Sequence, residues 1–487
     1  MQREDSAGRG VRELRRLMDS SSPSRDLAEA ARLAEALSDG GDPEAQYIRA
    51  LFLYSGERAP MDRRAAAELM ELSAAGGCRR GSVSRGEIER AGGDESKIAP
   101  LMALKLKGEQ GIPGACAELF KIYGEGRPPA RKDHAESASW YAACADRGDP
   151  EAQNAIGFMH LMGKGVAKDR ERAEALLKAA AESGHAEAML HLAEMHDGGL
   201  CGAPADLKEA ERWYLRASEA GSAEASYRLG MICLTEKGGY FDARRAASLL
   251  EKAAASGHAE ACYNLGMMLL HGHGAKRDPS RAEEMLEAAC GAGCQQAMVD
   301  YAGMKLEGIV LERDEAAAAK WFLKAAESCN GYARYALGCM YGNGYHFERD
   351  DAEAARHFRD AAEMGEVNAQ YALGCMCYEG RGVKKDPREA AMWLDQAADQ
   401  GHPGAKSLIG MLMINGIGAS KDVEGGMRRL REAADSGDRD GQYYVGKIYH
   451  DGEFVKRDPA IAKKYLTMAA RQGDGDAAAL LKRAGQR

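Results

Sequence analysis

Residues Gly365 to Gln400 read GEVNAQYALGCMCYEGRGVKKDPREAAMWLDQAADQ, and this unit, repeated, sets the architecture of the chain. Ala369, Leu373, Met376, Cys377 and Gly380 stand at offsets 0, 4, 7, 8 and 11, one face of a helix with about 3.6 residues per turn. Gly380 and Gly382 interrupt the period. Asp386-Pro387 then offers an N-cap and a first-turn proline for a second helix. Ala390, Trp393, Ala397 and Ala398 form its apolar face, and Gly401 stops it. The pattern restarts at once.

Working outward, units start at Gly41, Gly77, Gly111, Gly148, Gly184, Gly221, Gly257, Gly293, Cys329, Gly365, Gly401 and Gly437, with a last half-unit at Gly473. This predicts an all-α, right-handed α-solenoid of about twelve 36-residue helix-turn-helix repeats, with about 24 to 26 helices and no strand. Each unit then buries its apolar face on its neighbours, and the whole chain becomes one elongated body. Residues 1–40 read as a polar N-terminus and a degenerate capping helix, with a short helical segment at Val11 to Met18. Residues 41–472 are the repeats, and 473–487 form a C-terminal capping helix. The stretch Gly77 to Gln110 is irregular: RRGSVSRGEIER lacks the Ala-Leu-Gly core and Pro100 falls in its second helix. A distorted repeat and a hinge are both open there.

The first helices share an anchor alanine (Ala152, Ala188, Ala225, Ala261, Ala297, Ala333, Ala369, Ala405) and, five residues on, usually a glycine such as Gly266, Gly338 or Gly374. Glycine within a helix costs about 1 kcal/mol against alanine, so its recurrence marks a close approach by another element. Met159, Met195, Met268, Met304, Met340 and Met376 recur at offset 7, within about 20° of the anchor around the helix, and are expected in the core. Trp140, Trp213, Trp321 and Trp393 occupy one second-helix position that elsewhere holds Leu176, Leu249, Met285 or Tyr465. A slot open to any large apolar group is a packing site.

The net charge of −9 argues against nucleic acid, since phosphate neutralisation needs a basic face. MQREDSAGRGVREL contains no apolar run of signal-peptide length, and nothing downstream approaches a membrane span, so no membrane insertion is expected. Twelve cysteines, mostly where other units carry small or apolar residues, are expected as packed, reduced thiols in a cytoplasmic protein.

Taken together, Ala369-Gln370-Tyr371, Leu373-Gly374, Gly380-Arg381-Gly382-Val383, Asp386, Ala390, Trp393, Ala397-Ala398 and Gly401 resemble the Sel1-like repeat family, a relative of the tetratricopeptide repeat. Gly163-Lys164-Gly165-Val166 repeats the turn, and the resemblance covers about residues 26 to 487. It implies a scaffold or adaptor that assembles protein complexes. One secreted, cysteine-rich branch has a disulfide joining the two helices of each repeat, and some of its members resemble hydrolases or β-lactam binders. Cys262 and Cys290 have that spacing, and Cys116 and Cys144 nearly so, while the other repeats lack a pair. That branch supplies the alternative function.

Metal and catalytic motifs are not found. Cys290 and Cys294 lack a second ligand pair at zinc-like spacing, and Cys375 and Cys377 point about 160° apart. His191 and His196 are about 140° apart, which breaks the geometry of two ligands one helical turn apart. His185, His258 and His402 follow boundary glycines and read as turn residues. There is no nucleophile elbow, P-loop or dinucleotide fingerprint, so neither an enzyme nor a cofactor is expected.

What remains is the face that tetratricopeptide stacking would make concave, lined by the first helices at offsets −1, 2, 6, 9 and 10. It carries Tyr227, Tyr263, Tyr335, Tyr371 and Tyr443 at offset 2, with Met231, Met267, His271, Asn343 and Tyr378 beside them. Tyrosine suits an interface, with an apolar body and a polar tip, but the same positions could pack on the next repeat. Glu187, Glu224 and Glu260 give the face an acidic lean, and also sit where a helix dipole favours acids. The expected partner is a protein or peptide segment with a basic stretch.

Overall fold

The computed structural model describes residues 2–92, 94–198, 205–235, 242–418 and 420–485. Among them it contains 27 α-helices and no strand. The count exceeds expectation partly because Gln2–Met18 forms one continuous helix. The chain divides into two compact units, residues 1–253 and 254–487, where the repeat pattern predicts one body. Each unit is a run of antiparallel helical hairpins.

The unit at Gly365 shows how the local rules act. The first helix, Val367–Glu379, ends at Gly380 in a left-handed conformation whose N–H bonds back to Met376. The Asp386 carboxylate then accepts the Arg388 and Glu389 N–H groups (2.9 and 3.1 Å), and Pro387 opens the second helix, Pro387–Asp399. These bonds satisfy donors that a bare helix end would leave unpaired. The boundary histidines do the same at the first helices: Nδ1 of His185, His258 and His402 accepts the N–H three residues on, at 3.1–3.2 Å.

Between the two helices lies the core. Ala369, Leu373, Met376 and Cys377 are buried, as are Trp393 and Leu394. A β-carbon on Gly374 would stand 2.7 Å from Leu394 Cγ, so the glycine is required by helix contact. In the loop, a β-carbon on Gly382 would fall 2.0 Å from the Asp351 carbonyl of the preceding repeat. All four tryptophans are at most 7% exposed, as a packing slot demands. Met159, Met195, Met268, Met340 and Met376 are likewise buried. Met304 departs from that expectation: it is only half-buried and borders an open groove.

Residues 77–110 form two helices, Arg79–Ala91 and Glu95–Glu109, that do not close on each other as the other pairs do. Glu95–Glu109 packs more closely on Pro43–Ser55. The reason is polar. Gly81, Ser84 and Glu87 are the buried positions of the first helix, a face rotated away from the usual apolar one. Fully buried Lys105 donates to Glu87 and Ser84 (both 2.6 Å), and Tyr123 donates to the other Glu87 oxygen (2.6 Å). Arg80 pairs with Glu109 and lies 4.0 Å over the Trp140 ring. Ser20 from the N-terminal turn bonds the Gln110 and Gly111 carbonyls, holding residues 110–111 against the start of the chain.

Some first helices also touch the first helix of the following repeat: Pro150–Met162 touches Ala186–Asp197 in the first unit, and Pro403–Asn415 touches Arg439–Asp451 in the second.

Candidate partner-binding surface

None of the thirteen residues expected at the surface is buried. Glu187, Glu224, Tyr227 and Met231 belong to the first unit, and Glu260, Tyr263, Met267, His271, Tyr335, Asn343, Tyr371, Tyr378 and Tyr443 to the second. Each unit thus presents its own stretch of first-helix face.

In the second unit the tyrosines divide their surface between neighbours and solvent. Tyr263 Oη donates to Asp300 Oδ2 of the next repeat (2.7 Å), which itself receives Gln296 Nε2. Tyr371 stacks on His402 at 4.4 Å between centroids, and Tyr335 leans on Phe358 at 5.7 Å. Burial, and after it the neighbouring carboxylate or thiol, pushes the Tyr263, Tyr335 and Tyr371 phenols up, so all three remain hydrogen-bond donors. At offset 2 these tyrosines thus make contacts with other side chains and keep part of their surface open to solvent. Asn343 bonds back to the Cys339 carbonyl (2.8 Å), and His271 is exposed beside His273.

The first unit carries a cluster that offset counting missed. Phe158 stacks on His191 (4.6 Å, 27°), His191 Nδ1 meets Asn154 Oδ1 (2.8 Å), and Asn154 donates to Glu187 (3.2 Å). Burial holds the His191 imidazole below its usual range, which favours the neutral ring. Phe158 and Met162 are 37% and 49% exposed, so an apolar surface lies open beside the Glu187 carboxylate. The signal was available: Phe158 is at offset 6, where Met231 and Met267 stand in other repeats. Glu224 pairs with Arg228 (2.6 Å), and Glu260 lies 3.5 Å from His258, so these two acids are partly engaged within their own helix starts.

No group of three or more His, Cys, Asp or Glu side chains suited to a metal occurs among the described residues, and no helix there is long and apolar enough to cross a membrane. Eleven described cysteines, Cys262 and Cys290 included, are free thiols, and burial raises the Cys290 thiol to about 12. Cys201 lies outside the described residues.

Helical hairpins with this register carry a family signature. The Sel1 repeat family matches residues 43–78, 113–149, 150–185, 186–222, 295–328, 331–366, 367–402 and 439–474, more than half of the chain. The chain is a Sel1-repeat protein. A second family, plant tetratrico peptide repeats, matches residues 207–301. The Sel1-repeat chain is 28% identical over 209 residues to an uncharacterized protein of Neisseria meningitidis serogroup B, covering 42% of this chain and 43% of that one. It is 33% identical over 102 residues to the ERAD-associated E3 ubiquitin-protein ligase component HRD3B of Arabidopsis thaliana, covering 21% and 16%. The matches thus span less than half the length of these relatives. Among solved structures, the protective antigen c5321 of uropathogenic Escherichia coli superposes with a TM-score of 0.63 at 23% identity, over 90% of this chain and 86% of that one. A Sel1 repeat protein from Oxalobacter formigenes superposes with a TM-score of 0.52 at 28% identity, over 67% and 93%. Sel1-repeat proteins typically mediate protein–protein interactions.

Proposed function

We propose that this Sel1-repeat protein is a non-enzymatic scaffold or adaptor that holds a segment of a partner protein on its first-helix face. The observation that carries the reading is the composition of that face. On the first helices of the first unit, exposed Phe158 and Met162 stand with Glu187, and on those of the second, half-buried tyrosines stand with Glu260 and Glu307. Aromatic anchors held by their own packing lose little entropy on binding, and acids around them favour a basic segment. The likeness to a ubiquitin-ligase component supports an assembly role, at the level of the repeat alone.

A photo-cross-linking residue placed at Met267 or Met411, on the first-helix face, tests this against one placed at Met392, exposed on a second helix. The expected result is a cross-linked partner from the first two positions and none from the third. Cross-linking from Met392 alone overturns the proposal.

A further inference from the structure

In most repeats of the second unit the first-helix face is filled by a large residue at offset 2 or 6. Helix Gln295–Glu307 is different. Offset 2 is Val299 and offset 6 is Gly303, where tyrosines and Met267 or Met411 stand in neighbouring repeats. A β-carbon on Gly303 would meet nothing within 4 Å. The missing side chains leave a groove of about 480 Å³, running from this helix to the start of helix Gly331–Asn343.

The walls of the groove are specific. Its floor is Val299 and half-buried Met304, the one methionine of the core stripe that is turned out. Its only charged lining residues are Asp300 and Glu307, both acidic. Asp300 is oriented by Tyr263 and Gln296, while Glu307 is exposed and makes no hydrogen bond or ion pair among the described residues. Tyr332, 46% exposed, closes the far side, its phenol pushed up by burial and by Glu307. Asn330 caps its helix through Oδ1, which leaves its amide N–H groups to donate.

We infer that this groove takes an extended peptide segment with basic residues at positions i and i+3 and an aliphatic residue between them. This rests on the first-helix face being the partner surface. The spacing follows from helix geometry. Asp300 and Glu307 are seven residues apart, two turns on one face, or about 10.5 Å along the axis. A polyproline-II chain rises about 3.1 Å per residue and returns to the same face every third residue, placing two cations about 9.3 Å apart. Lysine or arginine at those positions reaches both carboxylates, and the intervening aliphatic group covers Val299 and Met304. The Asn330 amide N–H groups and the Gln296 side-chain carbonyl can meet the peptide backbone, which in this conformation has its hydrogen-bonding groups free.

The test uses the full chain, immobilised and panned against phage-displayed random dodecapeptides, with the selected peptide then titrated by fluorescence anisotropy. The expected consensus has two basic residues three apart. Gly303→Met fills the groove with the residue other repeats carry, and is expected to weaken the selected peptide at least tenfold with melting unchanged or raised. Glu307→Gln is expected to weaken it several-fold and flatten the salt dependence. A consensus without the basic pair, an absence of enrichment, or full binding by Gly303→Met overturns the groove assignment. If such a peptide is lost on Tyr371→Ala or Met411→Glu, the first-helix reading stands without the groove. If these variants also bind normally, both readings fall.

Discussion

Replacing glycine by alanine at two positions of the first helices should have opposite effects. Alanine in a helix interior is better than glycine by about 1 kcal/mol. At Gly303 the added methyl group meets nothing within 4 Å, so Gly303→Ala should realise that gain. At Gly374 the same methyl group would sit 2.7 Å from Leu394 Cγ, 2.9 Å from its Cδ2 and 3.4 Å from the Ala390 carbonyl. Overpacking of this kind costs about 1–3 kcal/mol, so Gly374→Ala should be neutral to about 2 kcal/mol destabilising. The clash is with the facing side chain whatever its type: at Gly338, in the same register, a β-carbon would stand 2.6 Å from the Phe358 ring. Truncating that side chain relieves it, so Gly374→Ala should cost less in a Leu394→Ala background than in the parent, a coupling that a double-mutant cycle isolates. Far-UV circular dichroism in urea measures the sums. Hydrogen exchange localises them, with a loss of 1–2 kcal/mol raising exchange about 5- to 30-fold in residues 367–399. If Gly374→Ala stabilises as much as Gly303→Ala, the recurring glycine is not there to admit the second helix, and the steric account fails.

Lys105→Met leaves the Glu87 carboxylate buried without its ion pair and should cost about 3–5 kcal/mol in urea unfolding, while adding Glu87→Leu should restore much of it. Truncating Trp321 to alanine should cost about 3–5 kcal/mol, with faster hydrogen exchange confined mainly to residues 293–365, because each repeat is coupled to its neighbours. His402 is held below its usual range by burial, so its contribution is complete above an unfolded-state pKa of about 6.5 and is lost as pH falls through the folded value. His402→Asn keeps a capping oxygen, as Asn330 provides elsewhere, and should lose less urea stability than the parent between neutral pH and roughly pH 5.5.

Period, composition and capping residues determined the repeat. Those signals are local: a 3.6-residue stripe, an Asp-Pro start and a glycine stop act within one hairpin, and repetition multiplies them. The buried tryptophan slot and the close-packed glycines were legible for the same reason, since each position is sampled many times. Tertiary structure decided what repetition could not. Residues 77–110 bury Glu87 and Lys105, a choice invisible in a helix read as degenerate, because the partner that makes burial tolerable is 18 residues away on another helix. Tyrosine at offset 2 leans on the next repeat while staying half-exposed, as Tyr263 does in reaching Asp300. The groove at Gly303 arises from what is absent, and a missing side chain acquires meaning only when its neighbours are in place.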